Sequence, residues 1–136
     1  MEYLVGVVSA VVLAVFARVS GFEKDRSFYP TVLIVIGFLY VLFGAIDGRM
    51  SVVLTEIVFA LVFSSIAVFG YSKSCRLVGI GIAIHGVFDF VHALFIEDAG
   101  VPVWWPGFCG AIDIVLGIYV AALGCHDGAA KEEMAS

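Results

Sequence analysis

The sequence predicts an all-α fold, a polytopic membrane bundle of about five transmembrane helices. Three observations predict it. Hydrophobic residues make up 62% of the chain and charged residues 14%, against roughly half and a quarter in a soluble domain. A soluble chain of 136 residues buries only about two thirds of the surface it exposes when unfolded, too little to hide that much apolar area. The apolar residues also fall into five segments, each near the roughly 20 residues that cross a bilayer. Lipid is the solvent that suits this composition.

The first segment, 3–19, carries Gly6, Ala10, Ala14 and Ala17 at helical spacing, small residues that let membrane helices approach closely. The start, Met1-Glu2-Tyr3, lacks the basic region of a cleavable signal, so a retained helix is expected. The second segment, 29–46, opens beside Pro30, which the first helical turn tolerates, and places Gly37, Tyr40, Gly44 and Asp47 on one face. The third is 52–69 and contains Glu56. The fourth, 77–96, carries a polar stripe. The fifth, 107–124, follows Pro106 and sets Asp113, Gly117, Ala121 and Gly124 on one face, which puts a carboxylate where helices pack. Short polar joints at 21–28, 47–51, 71–76 and 97–106 separate the segments. Residues 1–125 therefore read as a single transmembrane domain, and 126–136 as a short polar tail that frays.

Basic residues set the expected orientation. Arg18, Lys24, Arg26, Lys73, Arg76 and Lys131 would share one side, and Arg49 alone the other. Six against one places the N-terminus outside and the C-terminus in the cytoplasm. The pair Trp104-Trp105 then lies at the outer headgroup layer, which indoles favour.

The chemistry concentrates in the fourth segment, where His85, Asp89 and His92 form an HxxxDxxH pattern. Offsets of four, three and seven put all three on one helix face. Such a stripe on an apolar helix points at protein or water rather than lipid. At about 1.5 Å per residue from the outer ends, His92 lies about 6 Å deep, Asp89 about 10 Å and His85 about 16 Å. Asp113 and Glu56, on antiparallel segments, come to about 9 Å and about 6 Å. Acids and imidazoles thus converge on one layer. A charge at mid-membrane costs about 2.5–3.5 kcal/mol, and carboxylates without a basic partner repel. Protonation or a bound cation relieves this; Arg49 can reach only Asp47.

Imidazole with carboxylate is a ligand set for Zn²⁺ first, with Fe²⁺ or Mn²⁺ as alternatives. His85, Asp89, His92 and Asp113 are the expected metal ligands, with Glu56 a further ligand or the general base. Water on such an ion becomes a nucleophile near neutral pH. The competing readings are a metal-free proton or ion relay through the same residues, and buried structural hydrogen bonding. Cys109, one turn before Asp113, reads as a small packing residue. Cys75, Cys109 and Cys125 have no metal-binding spacing. No basic patch exists to hold nucleic acid. The expected partners are the lipid bilayer, a lipidic substrate and further copies of the chain in a homo-oligomer.

The strings His85-Gly-x-Phe-Asp89-x-x-His92 and Trp104-Trp105-Pro106-x-x-Cys109-x-x-x-Asp113 resemble those of a family of small, uncharacterised bacterial membrane proteins. The resemblance covers mainly 85–113. It implies a multi-pass protein of the cell membrane, here a bacterial inner membrane, and no established activity. A looser similarity is to the membrane zinc hydrolases that include alkaline ceramidases and progestin/adiponectin-type receptors. Those have seven helices and a different motif order, so hydrolysis is only hinted at. The expected function is a membrane metalloprotein, a hydrolase or oxidoreductase acting on a lipidic substrate, with the relay or transporter as alternative.

Overall fold

A computed structural model describes residues 1–135, apart from the side chains of 125–133. Cys125 and Lys131, which entered the cysteine and charge readings, fall among those side chains. The chain forms helices α1 (Glu2–Ser20), α2 (Phe28–Asp47), α3 (Met50–Lys73), α4 (Cys75–Phe95) and α5 (Trp105–Ala135). All five, α5 through its Trp105–Gly124 portion, are long and apolar enough to cross a membrane. No strand occurs among the described residues. The all-α expectation holds.

Each joint has a local cause. α1 and α2 end on Gly21 and Gly48, at φ of 85° and 87°, a left-handed conformation that glycine adopts without a Cβ penalty. Gly21 leads into a short 3-10 turn, Phe22–Lys24. Between α3 and α4 the break is Ser74 alone, whose extended backbone carries a hydroxyl that accepts the Leu77 N–H at 3.4 Å. A serine N-cap replaces one missing intrahelical bond. Most of the polar stretch 71–76 expected as a joint is therefore helical. Polar side chains at helix ends do not require the backbone to leave the helix, since long stems reach the interface from within it. The stretch 126–136, expected to fray, is likewise helical as far as Ala135. It lacks proline and carries three Ala, two Glu and one Lys, all good helix formers.

α4 sits at the centre. Its largest interface is with α5, and it also meets α3 and α2, while α1 packs on the outside of α5. The α4–α5 contact is close because glycines oppose each other. A Cβ at Gly79 would lie 2.2 Å from the Ala121 nitrogen, and one at Gly117 would lie 2.4 Å from that of Ala83. Gly86 and Gly110 meet in the same way one heptad along, each facing the other's carbonyl. Without a hydrophobic drive between helices in lipid, such backbone proximity supplies the packing.

The interior is divided along its length. Leu33, Phe63, Ala67, Ile82, Leu116 and Val120 make a dry core. At one end, Glu23 Oε2 accepts the hydroxyls of Tyr29 at 3.2 Å and Tyr119 at 2.7 Å, tying the first turn to α2 and α5. The other end collects the N-terminus, the Gly48-Arg49 turn and the 96–104 loop. Arg49 Nη2 donates to the Glu97 carbonyl at 2.6 Å, and Gly107 lies against Glu2 and Tyr3. The ionisable cluster lies toward this end.

Candidate metal centre

All five residues singled out in the sequence are inside the bundle. Glu56, His85 and Asp89 are 0% exposed, Asp113 1% and His92 2%. The polar stripe of α4 thus faces protein along its whole length, on the side where α2, α3 and α5 meet it.

These residues form two groups rather than one. In the inner group, His85 Nδ1 lies 2.8 Å from Asp113 Oδ2 and 3.6 Å from Asp89 Oδ2. One ligand atom from each of His85, Asp89 and Asp113 falls within 4.8 Å of the others. In the outer group, His92 Nε2 lies 2.6 Å from Glu56 Oε1, and Asp98 completes a second set under the same 4.8 Å limit. His92, expected beside the other three ligands, instead stands with Glu56. The reason is axial distance: residues seven apart share a helix face but lie about 10 Å apart along it. His85 therefore meets Asp113 of α5, and His92 meets Glu56 of α3.

The pairing of His85 with Asp113 also depends on where α5 begins. Its start at Trp105 puts Asp113 eight residues in, about 12 Å along the axis, and His85 lies about 15 Å from the end of α4 at Phe95. The apolar segment alone left them further apart in depth. The α4–α5 glycines remove the remaining lateral separation.

Tyr40 of α2 links the two groups. Its hydroxyl donates to Asp89 Oδ1 at 2.7 Å, and its ring stacks on His92 with centroids 4.2 Å apart. Phe63 stands edge-on to His85 at 4.6 Å, and Phe88 packs between the two imidazoles, 5.8 Å from His85 and 5.4 Å from His92. The side chains around the imidazoles are aromatic. The space beside Gly81, one turn before His85, is filled by Ile66 and Leu33. Cys109 is buried, with Sγ 3.9 Å from Asp113 Oδ2.

Charge in this interior is unbalanced. Among the described residues no lysine or arginine pairs with Glu56, Asp89 or Asp113; the cationic partners within reach are imidazoles. Four buried atoms of the cluster, Glu56 Oε2, His85 Nε2, Asp89 Oδ2 and Asp113 Oδ1, have no hydrogen-bond partner in the protein. Buried polar atoms left unpaired cost about 1–3 kcal/mol each. Nitrogen with two carboxylates in an enclosed space is a donor set that Zn²⁺, Fe²⁺ and Mn²⁺ accept.

A strap closes this end. Asp47 takes Arg49 in a two-pronged pair, Nε to Oδ1 at 2.7 Å and Nη2 to Oδ2 at 2.8 Å, and also accepts the Ala99 N–H at 2.8 Å. The carboxylate beside it holds the Arg49 guanidinium above its ordinary pKa. Gly100 lies against the Phe43 carbonyl, where a side chain would not fit. Trp105 rests edge-on against Phe43 at 4.8 Å. Asp47 is therefore a loop anchor and takes no part in the cluster, and the proline-stiffened 97–106 stretch covers the end of α2. Trp104 is 53% exposed.

Asp98 and Glu23 were not singled out in the sequence. Both sit in polar loops, where acids are ordinarily solvated, and no periodicity marks them. The one available signal for Asp98 was its position three residues after a helix that already carried three candidate ligands.

Comparison with curated proteins and with solved structures returned no match. A family model described as a family of unknown function, DUF6010, matches residues 1–126, the five apolar helical stretches and every candidate site residue. The chain belongs to the DUF6010 family.

Proposed function

We propose that this protein is an integral membrane metalloprotein in which His85, Asp89 and Asp113 hold one divalent transition metal ion, zinc before iron or manganese. The observation that carries this reading is the surplus of buried acid without lysine or arginine, joined to unpaired oxygen and nitrogen atoms on the same three side chains. A dication offsets two carboxylates, and one ligand atom from each of the three side chains lies within 4.8 Å of the others to receive it.

Tyr40 keeps Asp89 oriented, and Phe63 and Phe88 keep bulk water out. When bound, the metal supplies Lewis acidity and a water molecule acidified toward neutral pH. While the outer group holds no cation, Glu56, paired with His92, is the group that accepts a proton. With every helix presenting apolar side chains outward, a substrate reaching this interior comes from the bilayer, which favours a lipidic molecule and a hydrolase or oxidoreductase. The basic residues at the Glu23 end favour a cytoplasmic position for that end in a cell membrane, with the cluster in the outer half.

Metal analysis of the full chain in lipid nanodiscs tests the reading. The expected result is a stoichiometric transition metal at the inner group, lost in the His85→Ala/Asp113→Ala double variant. Metal-free protein that nonetheless carries protons into liposomes, with flux abolished by Asp89→Asn, would replace it with a relay. The contact of Tyr40 with Asp89 and with the His92 ring is the feature that favours that second reading.

A further inference from the structure

The outer group has a composition and a setting of its own. Glu56 is fully buried, and only Oε1 is engaged, by His92 Nε2 at 2.6 Å; Oε2 has no partner. Asp98 comes from the loop after α4. Its Oδ1 accepts the Gly100 N–H at 2.9 Å, while Oδ2 is buried and unpartnered. Two carboxylates and an imidazole thus face one another within 4.8 Å, each acid with one free oxygen. Arg49, the basic residue of this end, is committed to Asp47 and the Glu97 carbonyl.

We infer that Glu56, His92 and Asp98 form a second divalent-cation site, distinct from the inner one and completed by the α4–α5 loop. An oxygen-rich set with a single imidazole takes Zn²⁺, Mn²⁺ or Fe²⁺. Two of the ligands stand on α3 and α4, and the third is carried by the strap that Asp47 and Arg49 hold down. Occupation of the site therefore fastens the loop over the bundle end, and its emptying leaves the loop held by Asp47, by the Arg49 bond to the Glu97 carbonyl and by the contacts of Gly100 and Trp105 with Phe43. The site does not depend on the inner group, which has separate ligands.

The test is Zn²⁺ titration of chelator-stripped full-length protein in nanodiscs, with bound metal counted by mass spectrometry. The wild type is expected to take up two equivalents. Asp98→Asn and Glu56→Gln should each retain one, and Asp89→Asn should lose the other. Hydrogen exchange gives a second readout: zinc should slow exchange across 97–104 in the wild type and leave it unchanged in Asp98→Asn. One equivalent, lost in Asp89→Asn and indifferent to Asp98→Asn, overturns this inference and leaves the inner site standing. One equivalent with the reverse pattern upholds the inference and overturns the inner site. No bound zinc overturns both, as do two equivalents indifferent to all three changes.

Discussion

α1 and α4 are near twins by length and apolarity, with 19 and 21 residues, yet they do opposite work. α1 buries Gly6, Ala10 and Ala17 against α5 and turns Val8, Val12, Val15 and Phe16 outward. α4 buries eight residues, three of them ionisable, and is surrounded by α2, α3 and α5. Apolarity makes both helices fit a bilayer; it does not rank them. What ranks them is whether a face carries groups that lipid cannot solvate, since those groups must be enclosed by other helices. A helix with a polar stripe becomes the centre of its bundle, and a helix without one is free to take the edge.

That contrast can be broken most severely at the α4–α5 seam. Gly117→Val adds a side chain where even a Cβ would meet the Ala83 backbone nitrogen at 2.4 Å. Overpacking of well-packed interiors costs about 1–3 kcal/mol where side chains can yield, and backbone cannot. Loss of the folded chain in a detergent-resistance assay is expected.

Removal of a ligand comes next. His85→Ala should weaken zinc binding at the inner group beyond the roughly 10–100-fold typical of supporting residues, as measured by competition with a chromophoric chelator. Tyr40→Phe, which keeps the ring on His92 and deletes only the hydrogen bond to Asp89, should fall within that 10–100-fold range. An effect of Tyr40→Phe equal to that of His85→Ala would mean that Tyr40 is itself a ligand.

Metal-free protein offers a smaller and more diagnostic effect. Asp113→Asn preserves an acceptor for His85 and removes a carboxylate that has no lysine or arginine to offset it. Stabilisation by about 1 kcal/mol is expected, a rise of a few degrees in melting temperature. A clear fall would mark the cluster as structural. The smallest effect belongs to the edge helix: Val12→Ala, at a position 61% exposed, should leave both metal content and stability within about 0.5 kcal/mol of wild type.

Much of this was legible in the residue order. Five apolar stretches fixed the number of candidate spans, and the HxxxDxxH spacing put three polar groups on one inward face. Small residues at helical intervals identified the packing faces of α1, α2 and α5, and placed Tyr40 on the α2 face. The pairing of Asp47 with Arg49 followed from their closeness in the chain. Less accessible were the joints, because polar residues near a helix end do not say where the backbone turns. A single serine divides α3 from α4, and α5 continues to Ala135.

The residue order determined by itself that acids and imidazoles would be enclosed together, since their solvation cost in lipid leaves no other arrangement. Only the tertiary structure decided how they are shared out. Two turns of helix separate His85 from His92, so each takes the acid its own neighbour supplies, Asp113 from α5 or Glu56 from α3. Asp98 joins the second group because a loop anchored by Asp47 carries it there. Periodicity speaks for a face along one helix, whereas a site is made by the depth at which separate helices meet.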